Sequence, residues 1–325
     1  MTLPRRRFLS LAAAATALPV ASRLAWAQAF PVRPVRVIVA FTPGGIGDIV
    51  GRLVGQVLQE RLGQPFVIEN RPGAGGTVGT EAVVKSPPDG YSLILAGANN
   101  AINAALYSKL NYNFVRDIAG VGSVMRSPLV MTVHPSLPAG SVPELIAYAK
   151  ANPGKVNMGS AGNGTGSHVT GELFKMMAGV DLMHVPYRSD AQGMGDLVAG
   201  QVQVMFLNMP TVIGHIRGGQ LRALAVTTAT RSAALPDVPS LGESVPGYEA
   251  SGWFGLGAPR ATPVEVIAVL NKGINASLAD PKLIARLDEL GSTPMPLSPA
   301  EFDAFIVNET EKWAKVIKFA GIKSE

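Results

Sequence analysis

The strongest constraint on this chain is a pattern that occurs twice. An apolar strand-type run stops at a glycine-rich loop, and an amphipathic helix begins at once. The first copy runs from Val35 to Phe41, passes through Thr42-Pro43-Gly44-Gly45-Ile46-Gly47 and opens a helix at Asp48. Ile49, Val50, Leu53, Val54, Val57 and Leu58 then recur at helical spacing to Leu62. The second runs from a strand at Lys155–Gly159 through Ser160-Ala161-Gly162-Asn163-Gly164-Thr165-Gly166-Ser167 into a helix from His168 to Ala178. Backbone N–H groups converge at such a junction and the helix dipole favours negative charge, so each is an anion site by construction. If the two halves face each other, both loops close on one small anion.

The rest of the chain continues the alternation. Phe66–Glu69, Ser92–Ala96, Ile118–Val124, Leu129–Val133, Met183–Pro186, Val202–Leu207 and Leu221–Thr227 read as strands. Helices are expected around Val78–Lys85, Asn100–Tyr107, Ala191–Ala199 and Thr211–Arg217. Ser141 with Glu144, Thr262 with Glu265 and Ser298 with Glu301 have capping-box spacing. They open helices to Ala151, over Pro263–Leu278 and over Pro299–Phe319. Short strands alternating with helices define an α/β fold, and 325 residues suffice for two domains.

The first residues bear on compartment. Arg5, Arg6 and Arg7 precede an apolar run, Phe8 to Val20, which closes on Ala25-Trp26-Ala27. This is the pattern of a signal peptide over residues 1–27, cleaved before Gln28, and it implies a periplasmic protein. The apolar run is shorter than the ~20 residues that span a bilayer. Arg5-Arg6-x-Phe8-Leu9 also suits a twin-arginine signal, so the export route stays open. The leader contains Arg5, Arg6, Arg7 and Arg23 and no acid, so the other 298 residues carry +1 of the formal +5. No Lys/Arg run survives there, which removes the electrostatic footprint of a nucleic-acid binder.

Several chemistries fit badly. The chain has no cysteine, so disulfides, thiolate metal sites and cysteine nucleophiles are excluded. The Gly44 loop lacks the Gly-Lys-Ser/Thr ending of a P-loop and has Val50 where a dinucleotide fingerprint needs its third glycine. Met158-Gly159-Ser160-Ala161-Gly162 resembles a nucleophile elbow, but Met stands at the first glycine position and a long loop follows. His134, His168, His184 and His215 show no metal-ligand spacing. No catalytic residue, metal or cofactor is expected.

Six ordered motifs carry a resemblance. They are Phe41-x-Pro43-Gly44-Gly45-x-x-Asp48, the string Glu69 to Gly76 (Glu-Asn-Arg-Pro-Gly-Ala-Gly-Gly) and Pro88-Asp89-Gly90-Tyr91. Ser160-Ala161-Gly162-Asn163-Gly164 with His168, His184-Val185-Pro186-Tyr187 and Leu235-Pro236-Asp237-Val238-Pro239 follow. Across the whole mature chain it resembles the Bug-type solute receptors of the tripartite tricarboxylate transporters. The resemblance implies a two-lobed periplasmic binding protein of type II-like architecture, each lobe a mixed sheet flanked by helices, hinged by two crossovers. Lobe 1 would hold residues 28–127 plus 231–325, and lobe 2 residues 128–230. It implies a monomer that captures a small organic acid, largely through backbone amides, and delivers it to membrane permease subunits. A sensor docking a signalling partner is the alternative, and an esterase-like hydrolase a distant one.

The ligand-binding residues expected on this basis are Phe41, Gly44, Gly45, Asp48, Ala98, Asn99, Ser160, Gly162, Thr165, Ser167, His168, Tyr187, Arg188, Asp190 and Asn208. Asp48 can equally cap its helix, and Tyr187 can equally be core. The Arg71–Gly76 string is expected to be a packing and turn device. The chain departs from the family pattern at Arg188-Ser189-Asp190-Ala191-Gln192, where Lys/Arg-Gly, a small residue and Ala-Pro are usual. Asp190 either caps the next helix or reads the far end of the ligand. Arg188 can pair with a second carboxylate, Asp190 would repel one, and the two can pair with each other. This loop is therefore expected to set ligand choice.

Overall fold

The structure is a computed structural model describing residues 30–107 and 109–323; the expected leader lies outside the described residues. The first part holds β1 (Val35–Val39), α1 (Ile46–Leu62), β2 (Phe66–Asn70), α2 (Thr77–Val84), β3 (Ser92–Gly97), α3 (Ala98–Leu106), α4 (Phe114–Asp117) and β4 (Ile118–Val133). The middle holds α5 (Val142–Ala151), β5 (Asn157–Ser160), α6 (Gly166–Ala178), β6 (Met183–Pro186), α7 (Asp190–Val198), β7 (Val204–Asn208), α8 (Met209–Arg217) and β8 (Arg222–Val226). The last part holds β9 (Ser251–Pro259), α9 (Val264–Leu278), α10 (Pro281–Glu289), β10 (Thr293–Pro294) and α11 (Pro299–Ala320).

The strands form one curled mixed sheet in the order β2-β1-β3-β9-β4-β7-β5-β6, with β8 and β10 also on β4. Strand β4 organises it. Its first half pairs antiparallel with β9 and β10, and its second half with β7 and β8. The two strands expected here, Ile118–Val124 and Leu129–Val133, are thus one strand of 16 residues. Pro128 lies between them and cannot donate to a ladder. It is tolerated because it sits at the handover, opposite Ser251 at the start of β9, just before Leu129 meets Asn208 of β7. The chain's return path lies alongside. Thr227 and Leu129 exchange hydrogen bonds, and the Ala250 N–H donates to the Thr227 carbonyl.

Strand β9 lies outside the expected elements. Its Gly-Trp-Phe-Gly-Leu-Gly sequence lacks the β-branched signature, yet it lies antiparallel between β3 and β4. A Cβ at Gly255 would stand 2.4 Å from the Phe302 ring, so the glycine admits that close approach. One apolar core runs from Ile38 and Ile94 through Met131 and Phe206 to Trp313, joining both ends of the sheet. Helix α11 packs on α3, β4 and α6, and so touches elements from both parts of the chain.

The helix starts are mixed. Ser298 and Glu301 make the reciprocal box expected of α11. Ser141 accepts from the Glu144 N–H, while the Glu144 carboxylate turns to the Gly140 N–H. At α9 the expectation fails. Pro263 itself takes the cap position with an extended ψ of 138°, the helix starts one residue late, and the Thr262 hydroxyl is buried without a partner.

Candidate functional site

A cavity of about 590 Å³ lies where elements from both parts of the chain meet. Five helices present their first turns to it: α1 through Ile46 and Ile49, α3 through Ala98 and Asn99, α6 through Gly166 and Ser167, α7 through Asp190, and α8 through Pro210 and Thr211. The first N–H groups of a helix have no intrahelical acceptor, so these turns concentrate donors and positive dipole ends on one space. Among the described residues lining it there is no Lys, Arg or His, and Asp190 is the one charged side chain. The lining also includes the apolar and aromatic side chains of Phe41, Met125, Trp253, Phe254 and Trp313. The arrangement can hold an anionic group by backbone and hydroxyl donors and enclose a hydrocarbon or ring beside it.

The two glycine loops flank this space, and their architecture is internal. In the first, Asp48 is buried and points back into the loop. Its carboxylate accepts from the Gly44 N–H at 3.0 Å, from Arg52 Nε at 3.1 Å and from Asn70 Nδ2 at 3.0 Å. The Arg52 guanidinium, then the Gly44 N–H, hold its carboxyl down to about 2. Gly45, in extended conformation, is the cap residue, and its N–H donates to the Thr42 carbonyl. The Gly44 and Gly45 amides are therefore engaged within the loop, and neither residue lines the cavity. The loop's effect is to place Phe41 and the first turn of α1. Gly47 permits this, since a Cβ there would lie 2.5 Å from the Phe41 ring.

The second loop is held from behind by hydroxyl and imidazole groups. Ser160, wholly buried, lies 2.6 Å from His184 Nε2 and accepts from the Gly162 N–H at 3.1 Å. Thr165 Oγ1 donates to the Gly162 carbonyl at 2.7 Å, and the Gly164 N–H donates to His168 Nδ1 at 3.1 Å. The His168 and His184 rings stack with centroids 3.7 Å apart. His168 also faces Glu172, which pairs with Lys175. Burial, then the neighbouring His168, pushes the His184 imidazole down to about 4, so it is neutral at pH 7. A wholly buried Ser160 has no access to substrate, which removes the nucleophile-elbow reading.

The structure thus brings together on the cavity wall Phe41, Ala98, Asn99, Thr165, Ser167, Asp190 and Asn208. Ser160, His168, Gly44, Gly45 and Asp48 lie off that wall, and Gly162, Tyr187 and Arg188 line a neighbouring pocket with Gln192. The Tyr187 hydroxyl donates to Asp196 at 2.8 Å; burial, then that contact, pushes it up to about 12. It pins α7. Ser189, not Asp190, caps α7 by accepting from the Gln192 N–H, so Asp190 sits one position inside the helix. Arg188 and Asp190 face different pockets. Trp253, Phe254 and Trp313, unlike Phe41, had no sequence signal of their own. Trp253 and Trp313 both donate their indole N–H to the buried Glu309 carboxylate, at 3.2 and 3.1 Å, which fixes the two rings.

A curled mixed α/β sheet, with helix N-termini from both parts of the chain turned onto one cavity, defines a periplasmic binding protein. Among the described residues no helix is long and apolar enough to cross a membrane. The chain belongs to the tripartite tricarboxylate transporter family of receptors, whose pattern residues 50–322 match. This is a family of periplasmic solute-binding receptors rather than enzymes. Protein BugT of Bordetella pertussis is 37% identical over 96% of this chain and 95% of its own. The structure of Rpa4515 from R. palustris with adipate superimposes with a TM-score of 0.77 at 38% identity, covering 90% of this chain and 99% of that one. MatC from Rhodopseudomonas palustris with bound malate gives 0.73 at 31% identity, over 89% and 100%.

Proposed function

We propose that this receptor captures a small organic carboxylate in the 590 Å³ cavity and delivers it to the membrane permease subunits of a tripartite tricarboxylate-type transporter. The observation that carries the reading is the convergence of five helix N-termini on a space with no cationic side chain among its described lining residues. Backbone donors of that kind suit a carboxylate. Two relatives, Rpa4515 with adipate and MatC with bound malate, support the same class of ligand. In this reading the protein is monomeric, residues 1–27 are removed on export, and residues 28–127 with 231–325 close against residues 128–230. The hinge is the pair of adjacent strand passages at Pro128–Leu129 and Thr227–Ala250.

Two measurements test it. A thermal-shift screen of organic acids on the mature chain is expected to raise Tm progressively with ligand concentration, since a ligand bound only to the folded state stabilises it by RT ln(1 + [L]/Kd). No shift with any mono-, di- or amino-carboxylate overturns capture. Deleting the gene is expected to abolish cellular uptake of the acid identified; unimpaired uptake overturns delivery and leaves a sensor.

A further inference from the structure

Asp190 is out of place in an anion cavity. It lines the wall formed by helix N-termini, and no cationic side chain among the described lining residues balances it. Ser167 and Ala161 stand beside its carboxylate on that wall, and the Ala161 N–H donates to Ser167 Oγ at 3.1 Å. Those two residues belong to the 160–167 loop and the first turn of α6, the second of the two anion junctions. Its Oδ1 is shielded from solvent and has no hydrogen-bond partner. The other acid in a flanking first turn, Asp48, differs in each respect. It points into its own loop, and Arg52 and Asn70 satisfy it.

A carboxylate beside the first turn of α6 places a negative charge where a ligand carboxylate would otherwise go. A second carboxylate brought to the same place would meet a like charge in a partly desolvated site, which is unfavourable. A group bearing N–H bonds and positive charge would instead give the cavity its missing counter-charge. The first turns of α1, α3 and α8 keep their donors for the ligand's own carboxylate. We propose that Asp190 fills the α6 anion junction from within the protein. The cavity then takes a ligand with one carboxylate and a cationic, N–H-bearing far end, in preference to a dicarboxylate. Trp253, Phe254 and Trp313 would enclose the hydrocarbon between the two ends.

The inference rests on the carboxylate-receptor reading, and the test separates the two. Calorimetric titration at pH 7.5 compares adipate, hexanoate and 6-aminohexanoate, and succinate, butanoate and 4-aminobutanoate, on wild type, Asp190→Ser and Asp190→Asn. In wild type the amino acid is expected to bind more tightly than the dicarboxylate of its length, by about tenfold or more. Asp190→Ser is expected to reverse that order by reopening the α6 junction. Asp190→Asn, which keeps shape and removes charge, is expected to lose the amino-acid preference, and it covers the case in which the serine variant fails to fold. A dicarboxylate that binds wild type more tightly, or a ratio unchanged in both folded variants, overturns the assignment of Asp190 and leaves the carboxylate reading standing. If neither series binds any of the folded proteins, both readings fall.

Discussion

The two glycine loops are built to one local plan and held by opposite chemistry. The Gly44 loop is tied by a carboxylate, with Asp48 gathering Gly44, Arg52 and Asn70. The Gly162 loop is tied by hydroxyl and imidazole groups, with Ser160 against His184 and Gly164 on His168. Both leave their glycine amides busy within the loop and offer the cavity the helix turn that follows. The glycines are therefore turn geometry first, and the ligand-facing donors come one to three residues later. The same junction can be made robust to acid or sensitive to it, depending on what stands behind it.

The largest expected effect breaks the first loop. Asp48→Ala removes a charged acceptor serving three donors and is expected to cost about 2–3 kcal/mol in urea denaturation. The wild-type contribution has a defined pH window. The folded carboxyl lies at about 2, below its ordinary 3.8, so its stabilisation is complete above the higher value and disappears as pH falls through the lower one. An unchanged urea midpoint in Asp48→Ala would mean that the two loops do not differ in the way described.

A smaller effect sharpens the contrast from the other side. His184 is buried neutral, with its imidazole at about 4 against an ordinary 6.5. Between those values the unfolded chain binds the extra proton, so stability rises with pH and is lost as pH drops from 6.5 through about 4. The loss is on the order of 3 kcal/mol. Denaturation across that range is expected to show this slope in wild type and Asp48→Asn, and to lose it in His184→Gln. The same slope in His184→Gln would assign the titration elsewhere.

The smallest effect concerns the loop's neighbour. Tyr187→Phe deletes the hydrogen bond to Asp196 and is expected to cost about 1 kcal/mol. Ligand affinity is expected to stay within about twofold, because Tyr187 faces the adjacent pocket rather than the cavity. A large loss of affinity with little loss of stability would place Tyr187 in the binding wall.

Much was legible in the order of residues alone. Periodicity located β1, α1, β5, α6 and most other elements to within a few residues, because burial on one face writes a spacing into the sequence. The glycine runs marked both junctions for the same local reason. Where the reading failed, a distant partner decided. Pro128 reads as a strand breaker until β9 leaves and β7 arrives at that position. Strand β9, rich in glycine, is a strand because β3 and β4 stand on either side of it.

The site divides in the same way. That Asp48 and His168 sit beside glycine loops is a matter of sequence; that one turns inward to Arg52 and the other stacks on His184 depends on side chains brought from other elements. Asp190 and Arg188 are two residues apart, yet one lines the cavity and the other the next pocket, because Ser189 caps the helix between them. Trp253 and Trp313 are separated by 60 residues and share one carboxylate oxygen of Glu309. Local patterns record what a residue's near neighbours demand of the backbone. Which way a side chain points, and what it meets there, is settled only when the sheet closes the long-range contacts.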